Sequence, residues 1–445
     1  MSDISIFKFG GSCLKESHDI DAIVQRVRES ESEKIIVVVS ALHGVTDRII
    51  ERIERNEFDT ISAFVASLEM HHLEMSPSLV NKKFHPIFQE VVSDLTEAMT
   101  MLYHNNSDEK WRNIALVIGE KMSSLAIAAA LDNVGIISEH AWAEDIGIKI
   151  GISKGSSVID IYETTKSLCL PNVKVPVVTG WYGLNDGEIS LLSRGGSDLT
   201  ATSLASVISA SDVTIWRDVP GVLALAPRWS IPSRNLPYLS YTEAQELALF
   251  SEPMLHPFAV EPLRSDGIPL HLRPLHDPNS LGSCIGPSIV TGPPQVRAVG
   301  CLPHLVPLTL NLSGVMSVAK VVSDATNILE RSRVRVWSLR ARPSEARFLV
   351  SERFASKAIR LLSDCPGLPT PSRGESIAIL CLVGESIGVD RVIAQEIEDS
   401  MSESDFDFTS LDEGKRDHAL HYTVPDKQTQ MTLVALAQNL DLLVP

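Results

Sequence analysis

Four short segments of the 445-residue chain place residues of the right type for anion and ligand chemistry at strand ends. In FKFGGSC (7–13) a strand runs into two glycines and then a helix. Gly10 and Gly11 let backbone N–H groups approach an anion, and the helix start that follows favours negative charge. Lys8, at the strand end, can point its ammonium into the same pocket. A tight strand–helix turn with an exposed lysine is the plainer alternative for this segment alone. VVVSALHGVT (37–46) sets Ser40 and Thr46 around a second strand end, where α/β sheets bind ligands. VIGEKMSS (117–124) puts Glu120 at an expected helix start. LLSRGGSDLTA (191–201) joins Arg194, suited to clamping a carboxylate in bidentate fashion, to Asp198, which either caps a helix or orients a cationic partner.

These residues need a framework, and the hydrophobic pattern supplies one. Strands are expected at 4–9, 34–41, 176–183 and 212–219, with helical pattern at 18–31, 57–104 and 198–210. Residues 113–135 read as a short apolar run leading into a helix. This alternation predicts an α/β fold with a mainly parallel central sheet sandwiched by helices. Past the Pro/Gly stretch TGPPQ the texture changes to two successive β-α-β-β-α rounds, a tandem of small α+β ferredoxin-like modules. The expected division is 1–292, 293–372 and 373–445. Arg333 and Arg335 alternate with Val334 and Val336, which reads as a solvated strand face rather than a basic patch.

Composition removes several classes of function. Lys plus Arg number 39 against 56 Asp plus Glu, a net charge of −17, which disfavours general nucleic-acid or anionic-membrane binding. No uninterrupted apolar run reaches the ~18 residues of a membrane span, and the N-terminus lacks a signal-like h-region. The six scattered cysteines show no ligand-like spacing and read as reduced thiols, with no metal site expected. A soluble, cytoplasmic protein is expected. GxxxxGK[ST], GxGxxG and HExxH are all absent, against P-loop, Rossmann and zincin chemistry.

Taken together and in order, the four segments resemble the aspartate kinases of the amino-acid kinase superfamily, whose motifs read KFGGTS, GE-x-x-SS and GRGGSD. The resemblance continues through TIWRDVPGVLALAPR (214–228), LSYTEAQELALF (239–250), MLHPFAVEP (254–262) and GIPLHLRPLHDP (267–278). The C-terminal rounds look like that family's paired ACT regulatory modules. The resemblance implies transfer of the ATP γ-phosphoryl group, with Mg2+, to the side-chain carboxylate of aspartate. It implies that Lys8 neutralises the moving phosphoryl group, that Gly10 and Gly11 donate N–H bonds, and that Glu120 holds the substrate ammonium. It further implies that Arg194 clamps a carboxylate, that Ser40, Thr46 and Asp198 complete the amino-acid pocket, and that Asp218 lies on the nucleotide side. A homodimer or higher homo-oligomer through the ACT-like modules is also implied.

The departures from the family pattern cluster on the nucleotide side. Leu223, Ala224, Leu225 and Ala226 replace an aromatic, two threonines and an aspartate. Pro253, preceded by Glu252, stands where a lysine is expected. Arg217 and Arg228 are the cations available to restore charge there. Three readings stay open: an aspartate kinase; a kinase-shaped relative with an impaired donor side, acting as a regulatory or amino-acid-binding partner; and a kinase of a different amino-acid carboxylate. SLRARPSEARFL (338–349) keeps little of the family's effector-binding run, so packing or dimerisation is the expected role of the modules.

Overall fold

The computed structural model describes residues 3–153, 155–193, 195–250, 255, 258–277, 279–289, 292–314, 317–403, 406–411 and 418–444. The chain forms two units. The first comprises Met1–Val222, Asn235–Ala248 and Pro253–Ile289, and the second Leu223–Arg234, Leu249–Glu252 and Val290–Pro445.

The first unit is built on a sheet of eight strands: β1 (Ile4–Phe9), β2 (Lys34–Val39), β3 (Ser138–Ala141), β4 (Val175–Thr179), β5 (Asp212–Arg217), β6 (Tyr238–Ser240), β7 (Leu270–Pro274) and β8 (Ser283–Gly286). Their order is β6-β8-β7-β5-β1-β2-β4-β3. Every pairing is parallel except β7 with β8. The continuous run Ile35–Val39 has no exposed surface, as a strand covered on both faces requires. β1 lies between β2 and β5, so the chain leaves it on one side and returns on the other. The carboxyl ends of these strands therefore flank a switch point, where open α/β sheets place ligands.

Helices α1 (Ser17–Glu29), α2 (Val45–Glu54), α3 (Glu109–Asn133) and α4 (Gly196–Ile208) border that end of the sheet. α3 corrects one expectation. It is a single 25-residue helix, started by Asp108, whose carboxylate accepts the N–H of Trp111. Glu120 thus sits mid-helix rather than at a helix start. By length and composition α3 could cross a bilayer, but 94% of its apolar window is buried in the protein, where it forms core. The strand expected at 176–183 ends at Thr179, because Gly180 and Trp181 turn the chain into a hairpin at Tyr182–Asn185 and Glu188–Leu191.

The second unit contains β9 (Ala298–Asn311), β10 (Val336–Ala341), β11 (Glu345–Ser351), β12 (Ser372–Arg373), β13 (Ile377–Val383), β14 (Thr409–Ser410) and β15 (Ala419–Pro425). Four helices, Val318–Arg331, Glu352–Ser363, Arg391–Glu403 and Thr429–Asn439, complete the two expected β-α-β-β-α rounds. Both rounds share one antiparallel sheet, β10-β11-β9-β13-β15-β14, with β12 beside β9. The long strand β9 joins them. Its residues 298–302 pair with β13 and its residues 305–311 with β11, across an irregularity where His304 has a φ of 58°. Arg333 and Arg335 are exposed but precede β10 instead of lying in it.

Leu223–Arg234 packs with this second unit. Ala224 and Leu225 are fully buried, and the N–H of Val299 donates to the Ala224 carbonyl at 2.8 Å. Burial against β9 supplies a physical reason for apolar residues where the family pattern has polar ones.

Candidate active site

At the carboxyl ends of β1 and β5, three charged side chains meet. Lys8 Nζ lies 2.6 Å from Asp198 Oδ1, and Arg217 Nη2 donates to Asp198 Oδ2 at 2.9 Å. Lys8 and Asp198 are buried, at 8% and 4% exposure. Asp198 is the third residue of α4, whose N-cap is Gly195, so its carboxylate bonds the two cations and is not the cap. One carboxylate between two cations leaves a local excess of positive charge in a chain that is acidic overall. Gly10 is needed for this arrangement: a Cβ there would stand 2.8 Å from Lys8 Nζ, so a side chain would displace the ammonium.

Beside the triad, a cavity of about 470 Å³ is lined by Lys8, Ser40, Thr46, Glu120, Trp181 and Ser197, among others. Ser40 Oγ donates to Ser197 Oγ at 3.0 Å, joining the end of β2 to the start of α4. Glu120 is 3% exposed, and its Oε2 has no hydrogen-bond partner among the described residues. Burial raises its pKa to about 8, against the opposing effect of the Ala41 N–H. A carboxyl buried this deeply stays protonated near neutral pH, and a cation entering the cavity would draw the proton off. Gly119 makes this placement possible. A Cβ on it would fall 2.7 Å from the Ala41 Cβ, so only glycine lets α3 pass close enough for Glu120 to reach the wall.

Asp218, one residue past β5, pairs with Lys15 Nζ at 2.8 Å. Burial alone would raise its pKa, yet its hydrogen bonds and the Lys15 charge together hold it below the usual carboxylate value. It is therefore ionised at neutral pH.

Two cations on one carboxylate, beside a buried carboxyl, can receive a small ligand that carries both negative and positive charge. The sequence profile described as the amino acid kinase family matches residues 3–274. The chain is a member of that family. Similar proteins include aspartokinase 2, chloroplastic, of Arabidopsis thaliana, 27% identical over 301 residues, covering 63% of this chain and 54% of that protein. The bifunctional aspartokinase/homoserine dehydrogenase of Buchnera aphidicola is 24% identical over 448 residues, 95% of this chain and 54% of that one. The chain thus spans about half the length of these curated relatives. E. coli aspartokinase III, solved with aspartate and ADP, shares the fold at a TM-score of 0.82 and 22% identity, over 98% of this chain and 100% of that one.

Of the site residues expected from the sequence, this amino acid kinase family member brings Lys8, Gly11, Ser40, Thr46 and Glu120 to one cavity. Asp198 and Arg217 adjoin it through Lys8. Arg228 belongs to the second unit, where its guanidinium donates to the Cys301 carbonyl and stacks on Trp229. Arg194, Glu252 and Pro253 lie outside the described residues. Ser197 and Trp181 are among the lining residues that the sequence does not single out. Ser197 stood unremarked inside the GGSD run. Trp181 has a φ of 76°, a conformation costly for a bulky residue and one that gathers at functional sites. The glycine just before it at a strand end was the available signal.

Proposed function

We propose that this chain is an ATP-dependent kinase of an amino-acid carboxylate, with aspartate as the acceptor, producing an acyl phosphate. The Lys8–Asp198–Arg217 cluster beside a cavity walled by Glu120 is the observation that carries the reading. An acceptor carboxylate is already ionised, so its oxygen attacks the γ-phosphorus without a general base. The bond from phosphorus to the β,γ-bridging oxygen breaks, and its electron pair leaves with ADP. Such a transfer needs positioning and charge neutralisation. Lys8 and Arg217, held apart by Asp198, supply positive charge where the equatorial oxygens gather it, and the Gly10–Gly11 amides add N–H donors. Glu120, once ionised, receives the substrate ammonium; Ser40, Thr46 and Ser197 offer hydroxyls; and Arg194 clamps a carboxylate. Asp218, ionised and half-exposed, is the carboxylate that would hold Mg2+ arriving with the nucleotide, and the ion would supply neutralisation of phosphate charge. The aspartate and ADP bound to the E. coli enzyme support this choice of ligands.

We further read residues up to about 292 as the kinase portion. The two ACT-like rounds serve packing and homo-oligomer formation in a cytoplasmic enzyme. Hydroxamate trapping of acyl phosphate, with ATP, Mg2+ and a panel of amino acids, tests the function. Aspartate should give the fastest trapping. Trapping with no amino acid would overturn the kinase reading, and preference for another acceptor would overturn the choice of aspartate.

Arg217 takes the place of a family threonine, and its charge bears on the nucleotide side. Arg217→Ala should weaken ATP binding about tenfold, roughly 1.4 kcal/mol, in calorimetric titration. Affinity for the amino acid should change far less. Equal losses for both ligands would assign Arg217 to holding Asp198 alone.

A further inference from the structure

We propose that His18, Asp19 and His276 form a binding site for one zinc-class divalent metal ion, separate from the Lys8–Asp198–Arg217 cluster. The three side chains come from two elements far apart in sequence. His18 and Asp19 lie in the first turn of α1, and His276 follows the carboxyl end of β7. One ligand atom from each falls within 4.8 Å of the others. His276 Nε2 is 2.7 Å from Asp19 Oδ1, and His18 Nε2 is 3.7 Å from the same oxygen.

Asp19 is prepared for this role. It is 4% exposed, and its Oδ2 accepts the N–H groups of Lys15 and Glu16 at 2.8 and 2.9 Å. That fixes the carboxylate plane and turns Oδ1 toward both imidazoles. The other nitrogen of His18, Nδ1, lies 3.3 Å from Glu16 Oε2. A carboxylate behind a ligating histidine is the usual outer support of a metal site, since it sets the tautomer and raises ligand basicity. The imidazole rings sit 5.0 Å apart between centroids, half-exposed or more, so solvent can fill a remaining coordination position.

Two histidines and one carboxylate are the donor set of open zinc sites. Zinc bonds of about 2.0–2.2 Å place neighbouring tetrahedral ligand atoms roughly 3.3 Å apart, so the two histidine–Asp19 separations need adjustments of well under 1 Å, and the two imidazole nitrogens, within 4.8 Å of one another, close by at most about 1.5 Å. The same set disfavours Mg2+, which takes oxygen ligands and keeps its water. The Leu275 N–H donates to the Arg217 carbonyl at 2.8 Å. A bound ion would therefore fasten the start of α1 to the loop running beside the end of β5.

The test uses the full chain, stripped with a chelator, in a Cys169→Ser background so that the exposed thiol at that position adds nothing. Titration with zinc chloride should show one ion bound at micromolar or tighter affinity, unaffected by millimolar magnesium. His18→Ala and His276→Ala should each weaken it at least tenfold, and the pair should abolish it. Co2+ should give the visible absorption of a four- or five-coordinate ion in the parent and lose it in the double variant. Both histidines are largely exposed, so circular dichroism should show intact folding in each variant. Absence of binding up to millimolar zinc, or binding equal in the double variant and its parent, would overturn the site. Neither result would touch the kinase reading, which hydroxamate trapping measures independently.

Discussion

Replacing Lys8 by methionine should lower turnover by about 10²–10³, the usual loss when one charge-assisted contact at a transition state is removed, worth roughly 2.7–4 kcal/mol. Methionine keeps most of the volume at a site only 8% exposed, so the packing of β1 survives. The variant does not strand a buried anion, because Arg217 Nη2 still reaches Asp198 at 2.9 Å. Thermal unfolding should therefore shift little while kcat collapses. Hydroxamate trapping of the purified variant, beside its unfolding curve, checks both halves. Unchanged turnover in a folded variant would remove Lys8 from the mechanism.

The second large effect belongs to Glu120 and carries a pH signature. In the ligand-free chain its carboxyl titrates at about 8, burial being the main cause, whereas an unfolded chain would ionise it near its ordinary value of 4.5. Below the ordinary value both states are protonated and the group contributes nothing. Between there and about 8 the unfolded state is ionised and the folded state is not. Ligand-free stability should thus fall as pH rises through that window and level off above it. Glu120→Gln should abolish this dependence. Binding a substrate ammonium requires the ionised form, so the amino-acid KM should fall up to about tenfold per pH unit from 6 toward 8, then flatten. In Glu120→Gln the KM should rise about 10²-fold or more at pH 8, the scale of loss when one partner of a buried charge pair is removed, and its pH dependence should vanish. The KM for ATP should move little. Parallel changes in both KM values would make Glu120 a structural residue of α3.

Much of this site was legible in the chain because its parts are local. β1 and the Gly10–Gly11 turn, the buried run Ile35–Val39 and the GGSD entry to α4 are each set by hydrophobic period and glycine placement within a few residues. Motif order carried the family. Sequence reading went astray where the deciding feature lies outside the segment being read. Glu120 was placed at a helix start because an apolar run resembles a buried strand at short range. Asp108, eleven residues upstream of Gly119, starts the helix that contains it.

The apolar replacements at Leu223–Ala226 read as a departure on the nucleotide side, and in the fold Ala224 and Leu225 pair with Val299 of β9 in the second unit. Nothing within that segment reveals what will cover it. Arg217 and Arg228 looked alike as spare cations eleven residues apart. Tertiary structure sends the first to Asp198 and the second to the Cys301 carbonyl. The sequence by itself determined which elements form and which residue types stand at their ends, since backbone propensity and burial period act over a turn or a strand. Which of those ends converge was decided by sheet order alone. Placing β5 beside β1 sets Arg217 against Lys8 and Asp198, and placing β7 next to β5 carries His276 to Asp19. A pairing such as His276 with Asp19, 257 residues apart, is fixed by packing, which no local pattern encodes.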